Sequence, residues 1–190
     1  MPTNKDLKKF KDKICSDLKS QNNQTNFMVY EKDLNSIIKQ IHLIFKNQDD
    51  ALILQQKPKT HTIKILENSS TDYSCDFIVF RIINNKLKIY FCEIKSSINF
   101  LDKALEQIAS SKLFIKYLIE CYNYYCGDNN LFKGFSMEQD TSYFYIYPKI
   151  NSGNKSKIKN YAKSLLIKQV EINEKSIAII QDTEKFFNEK

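Results

Sequence analysis

The chain has 190 residues, 42% hydrophobic and 13% aromatic, with a formal net charge of +7. That length supports one domain with a full core and leaves little room for a second, and no apolar run approaches the roughly 20 residues that span a bilayer. The positive balance favours an anionic partner, of which nucleic acid is the commonest, although the abundance of Asn, Lys and Ile gives a general compositional reason for the same charge.

The N-terminal stretch MPTNKDLKKFKDKICSDL lacks the apolar core of a signal peptide. Within it, Leu7, Phe10, Ile14 and Leu18 fall at helical spacing and predict a Lys-rich amphipathic helix over residues 3–20; residues 1–25 are expected to form a helical extension of the domain. SQNNQTN interrupts the pattern. Leu34, Ile38, Ile41 and Phe45 then predict a second helix over 31–45, ended by KNQDD. ALILQQK (51–57) fits either a helix end or a short strand, and HTIKIL alternates as a strand does.

Residues 74–97, SCDFIVFRIINNKLKIYFCEIKSS, read as a hairpin. From 100 to 124, Leu101, Leu105, Ile108, Ile115 and Leu118 or Ile119 form a helical stripe, closed by CGDNN. TSYFYIYPKI predicts a strand, IKNYAKSLLI a short helix, and VEINEKSIAII two short strands or a strand and a turn before a polar tail. No repeat or linker divides the chain, so residues 1–190 are expected to form a single domain. This order of elements predicts an α/β (α+β) architecture with a mixed central sheet flanked by helices. The five cysteines, Cys15, Cys75, Cys92, Cys121 and Cys126, lack the spacing of a zinc site. Read as free thiols, they point to a reducing intracellular compartment, cytoplasmic or nuclear, with no membrane partner.

The hairpin carries the chemistry. Asn tolerates the left-handed backbone of a two-residue turn, so Asn84 and Asn85 set the register with Ile83 opposite Lys86. Asp76 then lies opposite Glu93, their β-carbons about 5 Å apart. Lys95, two residues on, points to the same side. Ile78, Phe80, Ile82, Leu87, Ile89 and Phe91 share that face; Phe77, Val79, Ile83, Tyr90, Cys92 and Ile94 occupy the other, with Arg81 and Lys88 near the turn. Apolar residues on both faces predict a sheet covered on both sides. Two carboxylates side by side there repel unless positive charge lies between them. Lys95 supplies one charge, and a divalent ion preferring oxygen ligands, Mg2+ or Mn2+, would supply more. The alternative is a Glu93–Lys95 ion pair at a strand end with Asp76 solvated.

Asp76, the triplet EIK at 93–95 and the helix sequence ALEQIASSKLFI together resemble the PD-(D/E)xK nuclease superfamily, which includes many restriction endonucleases, Holliday-junction resolvases and RecB-type nucleases. Its core is a helix, a hairpin bearing the Asp and then the acid-x-Lys triplet, a second helix and a further strand. The resemblance covers roughly residues 30–150 and departs at two points. Cys75 stands where the family name has Pro, and Ser111 stands where RecB-type members place Tyr four residues after Gln107.

The resemblance implies a restriction endonuclease-like fold and metal-dependent hydrolysis of nucleic-acid phosphodiesters, with DNA favoured and RNA possible. Asp76, Glu93 and the Ile94 carbonyl would bind Mg2+ or Mn2+, and Lys95 would hold the attacking water and balance transition-state charge. Glu31, at the start of the expected second helix, matches an acid that many members carry there and would bind or orient a second metal; otherwise it is a helix N-terminal acid. Gln107 would bond a phosphate or a water of the metal, or is a boundary residue. His42 either parallels a helical His of the cap-snatching viral relatives or is a boundary histidine, the favoured reading, since it lies three helical turns from Glu31, too far to share its ion easily. His61 has no evident partner. Lys103, Lys112 and Lys116 on the following helix could contact phosphates or form a solvated face. Cutting both strands of a duplex calls for two sites, which makes a homodimer a candidate assembly. The competing expectation is a catalytically silent nucleic-acid-binding or interaction protein on the same fold.

Overall fold

The computed structural model describes residues 1–31, 33, 35–47, 49–55, 74–149 and 165–188. They form a mixed α+β structure around a five-stranded sheet. In chain order the elements are α1 (Asn4–Lys13), β1 (Gln21–Asn23), β2 (Asn26–Tyr30), β3 (Gln40–Ile44), β4 (Ala51–Leu54), β5 (Phe77–Ile83), β6 (Lys86–Ile94), α2 (Leu101–Cys126), β7 (Thr141–Pro148), β8 (Leu165–Val170), β9 (Ile177–Ile180) and α3 (Thr183–Asn188). The central sheet has the order β4-β5-β6-β7-β8. Its first three strands are antiparallel, and β7 and β8 join in parallel. A second sheet has the order β1-β2-β3-β9, with β9 parallel to β3.

The β5–β6 register is the expected one: Phe77 faces Cys92 and Ile83 faces Lys86. Asn84 and Asn85 take φ values of 51° and 57°, the left-handed pair that a two-residue turn requires. Both faces of the hairpin are covered, but by different layers. Ile78, Phe80, Leu87, Ile89 and Phe91 pack beneath α1 and α2 with Leu7, Phe10, Ala104, Ile108 and Ile115. Phe77, Val79, Tyr90, Cys92 and Ile94 pack against Phe27, Val29, Ile41, Leu43 and Phe45 of the second sheet. Three layers result: helices, central sheet, second sheet.

The N-terminal helix is shorter than the expected 3–20. It opens on a Thr3–Asp6 capping box and ends at Lys13; a single 3-10 turn follows over Ser16–Leu18, and then β1. Leu7, Phe10, Ile14 and Leu18 are buried in the helix-side core. The expected helix over 31–45 is not formed. Asp33 accepts from the Asn35 N–H at 2.8 Å through its side chain and from the Ser36 N–H at 3.0 Å through its carbonyl, closing a turn. Such local bonding competes with helix formation, and β3 then pairs with β2 and β9. ALIL of 51–57 forms strand β4. The last three residues of the expected helix IKNYAKSLLI open β8 instead; the rest of that segment, HTIKIL and His61 lie outside the described residues.

The helix α2 ends at Gly127 in the left-handed region, φ 63°. All five cysteines are free, with Cys75 and Cys92 buried on opposite sides of the central sheet. Among the described residues no helix is long and apolar enough to cross a membrane.

Candidate functional site

The β5–β6 ladder ends at Phe77 and Cys92, so Asp76 and Glu93 are the next residues across from each other. Beyond the ladder Ile94 has no strand partner on that edge for its N–H. Asp76 takes the role, its Oδ2 accepting from that N–H at 2.6 Å. A charged acceptor on a buried N–H contributes about 1.5–3 kcal/mol. The N–H and carbonyl of one strand residue leave on the same edge, so the Ile94 carbonyl also faces the Asp76 side. Asp76 is 6% exposed, which removes the alternative of a solvated carboxylate at this position.

Glu93 is 0% exposed. Its Oε1 accepts from Lys95 Nζ, so the expected ion pair is formed, while its buried Oε2 has no hydrogen-bond partner among the described residues. Burial, with Asp76 and Glu31 nearby, pushes the Glu93 carboxyl well above the usual carboxylate range against the opposing pull of Lys95. Burial alone would lower the Lys95 pKa, but Glu93, Asp76 and Glu31 outweigh it and raise it overall, so the ammonium keeps its charge at neutral pH. One cation among three acidic groups leaves the local field short of positive charge.

Glu31 arrives on the segment after β2, not on a helix. Its N–H donates to the Lys39 carbonyl at 2.9 Å, and its Oε1 accepts from the Asp33 N–H at 2.9 Å. This segment is fastened beside the triplet, where the Ile37 N–H donates to Ser96 Oγ at 3.1 Å. A cavity of about 130 Å³ lies between, lined by Glu31, Asp33, Ser36, Ile94, Lys95 and Lys103 among others. Ser36 Oγ is buried without a hydrogen-bond partner among the described residues.

Gln107 does not point a hydrogen-bonding group at Glu93 or Lys95. Its Nε2 donates to the Ser74 carbonyl at 3.2 Å, and Oε1 is buried without a partner among the described residues. One turn later Ser111, fully buried, accepts from the Cys75 N–H at 2.9 Å. Together they clamp onto α2 the two residues that lead into Asp76. Tyr145, opposite Glu93 in the β6–β7 register, donates to the Ser97 carbonyl. Burial pushes its phenol up to about 12, with Glu93 adding to the shift.

The remaining expected residues are dispersed. Lys103 borders the cavity, Lys112 lies over the Tyr143 ring at 5.2 Å, and Lys116 is exposed on α2. His42 sits on β3 opposite Met28, its Nδ1 3.2 Å from Asn26 Nδ2. Ser111, Ser36 and Tyr145 are absent from the sequence-based site. Ser111 shares an i, i+4 face with Gln107, which was the available signal.

Among the described residues no three or more His, Cys, Asp or Glu side chains are grouped to hold a metal ion. The donor set nonetheless fits a hard divalent ion: Asp76, Glu93 with its unbonded buried oxygen, and a strand-end carbonyl. Magnesium is commonly held by one or two carboxylates and keeps several waters, without an all-protein cage. The chain matches no family model, no curated protein and no solved structure.

Proposed function

We propose that this chain is a metal-dependent nuclease of the PD-(D/E)xK type, hydrolysing phosphodiester bonds of nucleic acid. The observation that carries the proposal is Glu93: a fully buried carboxylate opposite Asp76, with one oxygen on Lys95 and the other without a partner among the described residues. A buried carboxylate left partly unsatisfied is costly to the fold, and local rules broken in this way tend to mark functional sites. Within the central sheet, the run of three antiparallel strands β4-β5-β6, then α2, then the parallel strand β7 also supports it.

In this mechanism Asp76, Glu93 and the Ile94 carbonyl would hold Mg2+ or Mn2+, and Glu31 lines the cavity with Ile94 and Lys95. The ion would supply positive charge at the phosphate and lower the pKa of a water it holds. Lys95, charged and anchored on Glu93, has further N–H donors to orient the attacking water and to meet charge that develops on the phosphate oxygens. Gln107 and Ser111 act through the Ser74–Cys75 backbone, fixing where Asp76 stands. Lys103, at the cavity rim, is the best placed of the three α2 lysines to meet a substrate phosphate.

The test is incubation with labelled single- and double-stranded DNA and RNA in magnesium, manganese or chelator, with Asp76→Ala as control. Cleavage by wild type that chelator and Asp76→Ala both abolish is expected. Metal-independent binding without cleavage would favour the silent nucleic-acid-binding protein instead.

A further inference from the structure

The strand that follows Asp76 carries a second buried charge at its far end. Arg81 lies five positions on, about 17 Å along the strand, and on the opposite face, between the two sheets. Its side chain is 7% exposed. Nε and Nη1 are buried without hydrogen-bond partners among the described residues. Nη2 stands 3.7 Å from Glu184 Oε1, outside hydrogen-bond reach, and the guanidinium lies over the Phe45 ring at 5.3 Å. A cation so placed has lost hydration and regained little of it from the protein.

Arg81 borders a cavity of about 370 Å³, lined also by Phe45, Lys46, Gln181, Thr183 and Glu184. The Glu184 carboxylate stretches between two cations there, its Oε2 3.3 Å from Lys46 Nζ and its Oε1 at the long distance from Arg81. Its side chain is 46% exposed, so it can swing into solvent without disturbing the core. The other acid at the rim, Asp182, is engaged in capping α3, accepting from the Lys185 N–H at 2.9 Å.

We propose that this cavity is a phosphate-binding site, with Arg81 and Lys46 as its cations and Glu184 as a tethered carboxylate that the ligand displaces. A ligand carboxylate would exchange like for like with Glu184. A phosphate brings about −1.5 to −2 charge and additional acceptor oxygens to the same two cations, and the guanidinium fork matches it. The cavity volume falls in the range of small-ligand sites, enough for inorganic phosphate or for the phosphate end of a nucleotide. The site is separate from Asp76 and Glu93 and does not depend on the nuclease assignment.

The experiment is isothermal titration of the full chain with inorganic phosphate, a 5′-mononucleotide and acetate. Saturable phosphate binding is expected, with no comparable binding of acetate. Glu184→Gln should tighten phosphate about tenfold by removing the competing carboxylate, and Lys46→Gln should weaken it several-fold. Both positions are solvent-accessible, so these variants decide the matter even if Arg81→Gln, expected to abolish binding, fails to fold. A mononucleotide that binds more tightly than phosphate assigns the site to nucleotides; equal or weaker binding assigns it to free phosphate. The proposal is overturned if Glu184→Gln shows no saturable phosphate binding, if acetate binds as tightly as phosphate, or if neither surface substitution changes the affinity.

Discussion

At its open end the β5–β6 hairpin buries Asp76 and Glu93 towards the helices; at its turn end it buries Arg81 towards the second sheet, with half-buried Lys88 opposite. The open end is tied into the backbone. Asp76 holds the Ile94 N–H, and Ser111 and Gln107 hold the residues just before Asp76. At the turn end Lys88 has Asp140 at 2.5 Å, but Arg81 has, among the described residues, a ring face and a long ion pair. The buried charge of Asp76 is thus compensated by a directed hydrogen bond, and that of Arg81 by diffuse attraction. Substitutions at the open end should therefore leave specific groups stranded, whereas Arg81 should be replaceable by an apolar residue without structural loss.

The largest effects are expected at the open end, on activity. Asp76→Ala removes a proposed metal ligand and should eliminate both metal uptake, followed by calorimetry, and cleavage. Lys95→Ala should keep metal uptake, or tighten it by removing a neighbouring cation, while cleavage falls about a hundredfold or more. Cleavage at the wild-type rate in Lys95→Ala would remove Lys95 from the mechanism. Next in size, Ser111→Ala strands the buried Cys75 N–H and should cost about 1–3 kcal/mol, read from urea denaturation midpoints. A change near zero would mean that the clamp on Asp76 is dispensable.

The turn end should respond less, and in the opposite direction. Arg81→Met removes a buried cation without breaking a hydrogen bond, so the same denaturation assay should show a gain of about 1 kcal/mol; a loss as large as that of Ser111→Ala would erase the contrast between the two ends. The smallest effect concerns Asp140. Burial pushes its carboxyl up, but Lys88 and the Ser136 N–H outweigh that and hold it below the usual range. A depressed native pKa stabilises above the unfolded value, about 3.9, and that contribution is lost as pH falls through the native value. Asp140→Asn should be about 0.5 kcal/mol less stable than wild type at neutral pH, and the gap should close below about pH 4.

The hairpin was legible because three constraints agree: alternation on both faces, two Asn residues suited to the turn, and charges at matching distances from it. The sequence reading therefore placed Asp76, Glu93 and Lys95 together, and α2 followed from its own stripe. The segment 31–45 was not legible. Leu34, Ile38, Ile41 and Phe45 fit a helical period, while Ile41, Leu43 and Phe45 fit a strand period equally well. Pairing with β2 and with the distant β9 decides between them, and neither partner is visible in the local pattern. Glu31 accordingly reaches the cavity on a turn-containing segment built by Asp33, not on a helix. The Gln107–Ser111 clamp was hidden for a related reason, since it depends on where α2 lies over the sheet. The hairpin register places Arg81 near the turn, but only the packing of the two sheets makes it buried.

The positions of Cys75 and Cys92 have a practical consequence. Cys75 belongs to the helix-side core and Cys92 to the sheet-side core, and burial holds both thiols well above their ordinary range. An alkylating reagent reaches either one only when the layer covering it lifts. The two labelling rates are therefore separate clocks, one for detachment of the helices and one for parting of the sheets. Cys15 and Cys126, both exposed, mark the unhindered rate within the same molecule.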